Sequence, residues 1–124
     1  MKYSDPKTVA LLFNEHINNQ NLENLVSLMT EDHTFISASE KVERGRKIMK
    51  EGWGEFFRLY PDYRNIFSRV QSKDDIVVML GHSECSEEIL DGPAIWTAVI
   101  KDGHVQEWRV YDDTEENREK LGIT

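Results

Sequence analysis

Two strand-like runs, "PAIWTAVIK" and "HVQEWRVYDD", meet at Asp102-Gly103. An Asp-Gly pair between such runs is the strongest short-range signal for a tight antiparallel hairpin, because both turn residues need positive φ. The second run places Trp108, Val110 and Asp112 at alternate positions. In a strand all three point the same way. A carboxylate that shares a face with a tryptophan and a valine either frays into solvent at the strand end or hangs into an apolar cavity.

Upstream, "YRNIFSRVQSKD" alternates over part of its length, and "DDIVVMLGHSECSEEI" follows a Lys-Asp-Asp turn. The chain before Tyr63 has a helical period instead. In "SDPKTVALLFNEHINNQ", Asp5 is placed to cap a helix that Pro6 begins, with Val9, Leu12, Phe13, His16 and Ile17 as its stripe. Asn21 caps a second helix with Leu22, Leu25, Val26 and Met29 on its apolar side, and "DHTFIS" is a short strand. A third helix runs from about Gly45 to Tyr60 and ends at Pro61, with Ile48, Met49, Trp53, Phe56, Phe57 and Tyr60 as its stripe. Gly52 and Gly54 flank Trp53, and each costs a helix about 1 kcal/mol relative to alanine. Close approach of another backbone or a ligand would offset that cost; a local break in the helix is the alternative. "DDTEENREK" reads as a solvated acidic tail with a short helix.

Helices followed by a meander of antiparallel strands make an α+β fold, with one domain spanning residues 1–124. The runs "IVVML" and "AIWTAVI" are apolar at both parities, so both faces of the sheet need cover. The helices can cover one. A second copy covering the other predicts a homodimer through the sheet.

A formal net charge of −8 argues against nucleic acid and anionic membranes as partners. Cys85 is the only cysteine, so no intrachain disulfide forms. No apolar run approaches a membrane span, and "MKYSDPKTVALLF" lacks a signal-peptide core, which predicts a cytoplasmic protein. The four histidines, at 16, 33, 82 and 104, show no HxH or HxxxH spacing, so no metal site is expected. There is no nucleophile-elbow motif and no glycine-rich phosphate loop, and no cofactor is expected.

The phenylalanine-rich "FFRLYPDYRNIF", then "QSKDDIVVMLGHSECS", the hairpin "AIWTAVIKDGHVQEWRVYDD" and the terminal "LG" together resemble, in that order, the SnoaL-like branch of the nuclear transport factor 2-like superfamily. The resemblance implies a cone-shaped α+β fold: three N-terminal helices packed on a curved, mostly antiparallel sheet that encloses a pocket. Families of this fold include polyketide ester cyclases, ketosteroid isomerase-like enzymes, epoxide hydrolases, dehydratases and non-catalytic binding modules, so fold alone leaves activity open. In the cyclases an aspartate four residues beyond a Trp of the last strand acts as acid and base, and Trp108 and Asp112 match that spacing. Epoxide hydrolases use an Arg-x-Asp pair on a middle strand. His82-Ser83-Glu84 and Val110 depart from their pattern, which argues against epoxide hydrolysis.

A carboxylate desolvated in an apolar cone becomes a base usable near neutral pH, suited to proton abstraction next to a carbonyl. Such a step also needs a donor for the developing enolate. Asp112 is the expected base, with His82, and His33 or Tyr63, as donors. His16 reads as a core histidine and His104 as an exposed one beside the hairpin turn. Trp53, Phe57, Tyr60, Tyr63, Trp96, Trp108 and Val110 are the expected ligand-contacting walls, although the large aromatics would equally fill the cone. The expected role is to bind a small hydrophobic or partly polar organic molecule, with cofactor-free cyclase- or isomerase-type chemistry if it is an enzyme. A non-catalytic carrier or dimerising module is the alternative.

Overall fold

The structure, a computed structural model, describes residues 5–124; residues 1–4, at the start of the stretch read above for a signal peptide, lie outside it. Helix α1 spans Pro6–Asn18, and the Asp5 side chain caps it by accepting from the Thr8 N–H at 3.3 Å. Its buried stripe is Val9, Ala10, Phe13, Asn14 and Ile17. The helix is therefore rotated from the expected stripe. Leu12 is exposed, His16 is only half-buried rather than a core residue, and Asn14 is buried. Helix α2 (Leu22–Ser27) is capped by Asn21, as its spacing predicts, and stops two residues short of Met29.

Met29 instead opens strand β1 (Met29–Ile36), which is longer than "DHTFIS" suggested. A three-residue strand, β2 (Val42–Arg44), escaped the sequence reading because it is exposed throughout and lacks an alternating pattern. Helix α3 (Arg46–Leu59) has no side-chain cap; Gly45 enters it at φ 107°, a conformation glycine tolerates. The helix is unbroken at Gly52 and Gly54. Gly54 faces the Leu22 side chain of α2, while nothing stands within 4 Å of a β-carbon built on Gly52.

Strands β3 (Arg64–Lys73), β4 (Ile76–Glu84), β5 (Gly92–Lys101) and β6 (His104–Asp112) follow, and a 3-10 turn at Glu88–Leu90 precedes β5. The β5–β6 turn has Asp102 at φ 52° and Gly103 at φ 77°, the paired positive angles the hairpin signal requires. The six strands run in the order β2-β1-β6-β5-β4-β3, antiparallel except where β1 pairs with β6. The fold is thus α+β with a mixed, mostly antiparallel sheet. Register shifts in β3, in β1 and between β5 and β6 mark bulges, which bend the strands and increase their twist.

The helices cover one face, where α1, α2 and α3 meet Val77, Met79, Trp96, Ala98, Val105 and Trp108 in the main core. On the other face, Val78, Leu80 and Ile95 pack with Ile123 and Leu121. That contact is made by helix α4 (Glu115–Leu121), capped by Thr114, and the residues after it. Gly122 sits at φ 70°, and the Ile123 N–H donates to the Arg118 carbonyl at 3.0 Å. This left-handed helix end turns Ile123 back onto the sheet. The cover sought above from a second copy is therefore partly supplied by the chain's own C-terminus. Among the described residues, no helix is long and apolar enough to cross a membrane.

Candidate functional site

The helix-covered face opens into a cavity of about 460 Å³ between α3 and the ends of β4, β5 and β6. Met49, Gly52, Trp53 and Phe56 of α3 form one wall, and Phe35 of β1 joins it. Trp53 meets Phe35 and Phe56 edge-on, with ring centroids 6.0 and 5.5 Å apart. Opposite stand Ala94 and Trp96 of β5 and Trp108, Val110 and Asp112 of β6. The ladder pairs Ala94 with Asp112, Trp96 with Val110 and Ala98 with Trp108, so these residues form one continuous inward face. Trp96 and Trp108 are fully buried, and Phe67 and Phe13 hold them at centroid distances of 5.1 and 4.7 Å. They form the floor and do not plug the opening.

The mouth is bounded by Ile89 through Pro93. Two carboxylates pin the chain that leads from β4 into this segment. Asp62 accepts from the Ser86 N–H at 2.9 Å, and Asp91 accepts from the Cys85 N–H at 3.0 Å. The segment lacks regular hydrophobic periodicity, and its place at the mouth was not legible in the sequence.

Asp112 does share the inward face with Trp108 and Val110, at the solvent-exposed rim. Trp53, Tyr63, Trp96, Trp108 and Val110 also line the cavity. Four other expected site residues do not. Phe57 is packed into the core between the layers, and Tyr60 packs against Phe56 at a tilt, outside the cavity.

His82 faces the other way. On β4, Val77 and Met79 belong to the helix-covered core, whereas Val78 and Leu80 pack with the C-terminus. Alternation puts Ser83 inward and His82 outward, where its Nε2 lies 3.4 Å from Glu84. His33 is fully buried outside the cavity beside Phe13, with ring centroids 5.7 Å apart. Its Nδ1 lies 2.7 Å from the Val105 carbonyl. Because a carbonyl only accepts, that nitrogen carries the proton. Burial pushes the imidazole below its ordinary value, while the Val105 bond and Asp32 pull in the opposite direction. It is a neutral core histidine tying β1 to β6.

The polar group on the inner wall is the Tyr63 hydroxyl, at a residue expected there, but its partners Ser83, Asn65 and Asn14 are ones that sequence reasoning missed. The Tyr63 hydroxyl lies 3.1 Å from Ser83 Oγ, and both residues line the cavity. Ser83 Oγ is 2.8 Å from Asn65 Oδ1, and Asn65 Nδ2 is 3.1 Å from Asn14 Oδ1. Burial lifts the Tyr63 phenol above its usual value, with the Ser83 and Asn65 bonds opposing it, so it is neutral at physiological pH. The available sequence signals were Asn14, a polar residue within an apolar helical stripe, and Ser83, two residues past Gly81.

Among the described residues, no group of three or more His, Cys, Asp or Glu could hold a metal ion. Those lining the cavity include no Lys, Arg or His. The charged groups there are Glu43, Asp91 and Asp112.

Comparisons with known proteins agree with this architecture. A candidate SnoaL-like polyketide cyclase from Shewanella putrefaciens superposes with a TM-score of 0.77 at 14% identity, over 96% of this chain and 86% of that one. An NTF2-like protein of unknown function from Cytophaga hutchinsonii gives 0.73 at 13% identity, over 94% of both chains. An LEH-like epoxide hydrolase from M. tuberculosis gives 0.77 at 13% identity, over 87% and 82%. At such identities the likeness concerns the fold alone. No curated protein matches by sequence. The model of the SnoaL-like domain matches residues 10–112, and the chain therefore belongs to the SnoaL-like domain family, on the NTF2-like fold.

Proposed function

We propose that this SnoaL-like protein binds a small, largely apolar organic molecule in the cavity between α3 and the inward face of β5 and β6. The observation that carries this reading is that the cavity is open, although three tryptophans and two phenylalanines (Trp53, Trp96, Trp108, Phe35 and Phe56) are among its walls. A volume of about 460 Å³ lies within the range of small-molecule sites. The test is titration with N-phenyl-1-naphthylamine, a neutral dye that brightens in apolar surroundings. Saturable brightening is expected for the wild type, with loss in Ala94→Phe, which fills the cavity from its β5 wall. Brightening unchanged in a folded Ala94→Phe would place the dye elsewhere and defeat the reading.

A catalytic role is the second reading, favoured by one observation: Asp112 reaches the cavity at the Trp-plus-four position. It would take a proton from carbon next to a ligand carbonyl. Of the expected enolate donors only Tyr63 lines the cavity and neither histidine does, so binding comes first. Deuterium exchange at the α-carbons of 2-tetralone, followed by NMR, tests the chemistry. Exchange faster than buffer, and abolished in Asp112→Asn, supports catalysis; equal rates with both proteins remove it.

A further inference from the structure

The hydrogen-bond chain behind the cavity wall has only one consistent proton arrangement. Its anchor is the main-chain carbonyl of Asn65, which can only accept. Asn14 Nδ2 lies 3.3 Å from that oxygen, and Asn18 Nδ2 lies 2.9 Å from it. The Asn14 amide nitrogen must therefore face Asn65, and Asn14 Oδ1 is left to accept from Asn65 Nδ2. Asn65 Oδ1 then accepts, and its donor is the hydroxyl of Ser83. With that proton committed, Ser83 Oγ meets Tyr63 as an acceptor, and Tyr63 donates its only proton to Ser83. The Asn65 main-chain N–H donates to Asn18 Oδ1 at 2.8 Å, which fixes the Asn18 amide with its nitrogen on the Asn65 carbonyl.

The phenol oxygen of Tyr63 keeps a lone pair but no proton for the cavity. We propose that the cavity selects ligands whose polar group is a hydrogen-bond donor, a hydroxyl or an N–H, which Tyr63 accepts. Reversing the bond to receive a carbonyl would leave the phenol–Ser83 contact without a proton, or would rob Asn65 of its donor in a buried setting. The mouth points in the same direction: Glu43, Asp91 and Asp112 accept from donors and repel anions. The ligand class is thus an apolar molecule bearing a hydroxyl or amine, neutral or cationic, and not a carboxylate. This inference rests on the ligand-binding reading and gives it a chemistry.

The test compares 2-naphthol, 2-methoxynaphthalene and 2-acetylnaphthalene by calorimetry on the wild type, Tyr63→Phe and Ser83→Ala. Affinity ratios between probes within each protein cancel changes in general cavity fit. The wild type is expected to favour 2-naphthol over 2-methoxynaphthalene by about fivefold to tenfold more than Tyr63→Phe does, the worth of one hydrogen bond. In Ser83→Ala the Tyr63 proton is released, and 2-acetylnaphthalene should gain relative to the wild type. A purely structural role for Tyr63 would not produce that reversal. If the three probes bind the wild type equally, or the discrimination persists in Tyr63→Phe, the inference is overturned while the binding reading stands. If none of the three binds, both fall.

Discussion

Gly81 lies so close to Ile66 that a β-carbon on it would stand 2.0 Å from the Ile66 carbonyl oxygen. The contact occurs where β3 bulges between Phe67 and Arg69 opposite Gly81. The bulge bends the sheet beside Ser83, at the edge of the cavity. The obstacle is backbone in a paired strand, which cannot swing aside as a side chain can. Gly81→Ala should cost about 2 to 3 kcal/mol, as other overpacked sites do. Urea denaturation measures this; a loss below about 0.5 kcal/mol, the usual size for a neutral surface change, would mean that the strands separate freely there.

His33 makes stability depend on pH in a defined direction. Its folded pKa is depressed below the ordinary 6.5 because burial disfavours the imidazolium. Below about pH 6.5 the unfolded chain takes up a proton that the folded chain refuses, so stability falls as pH falls. Above that pH both states are neutral at this site and the contribution is flat. The slope reaches at most about 1.4 kcal/mol per pH unit for one proton. Denaturation between pH 5 and 7.5 on the wild type and His33→Gln should show this part of the slope only in the wild type. Equal slopes would mean that His33 protonates in the folded state.

The two glycines of α3 are predicted to respond differently. A β-carbon at Gly52 meets nothing within 4 Å, so Gly52→Ala should recover about 1 kcal/mol of helix propensity. At Gly54 the added carbon would stand 3.3 Å from Leu22 Cδ2, which must shift, and the gain should be smaller. Thermal melts of the two variants check the order. If Gly54→Ala proved the more stabilising, the α2–α3 contact would be looser than its geometry implies.

Ile123 is fully buried on the sheet face opposite the main helices. Ile123→Ala should cost about 2 kcal/mol, the low end for a core isoleucine, since the segment can relax. Removal of residues 115–124 uncovers Val78, Leu80 and Ile95 and should drive self-association of the bared sheet face. Sedimentation of the full and shortened chains reads this directly. An unchanged mass after truncation would show that this patch does not need cover.

The sequence alone determined the parts of this protein governed by local chemistry. Asp5 and Asn21 cap helices because their side chains reach N–H groups three residues on. Asp102-Gly103 turns the hairpin because Asp and Gly tolerate positive φ. Strand period two then places Trp108, Val110 and Asp112 on one face wherever that strand lies. Tertiary structure decided which face of each strand is the inside. β4 is apolar at both parities because α1 lies over one face and Ile123 over the other, so its pattern could not choose between His82 and Ser83. The polar chain joins Asn14 of α1 to Asn65 of β3, fifty-one positions apart. No local period encodes such a contact, since it exists only when the helix is laid across the sheet. The cavity has the same origin: α3, β1, β4, β5, β6 and the turn before β5 each supply part of its lining, and no single segment carries it.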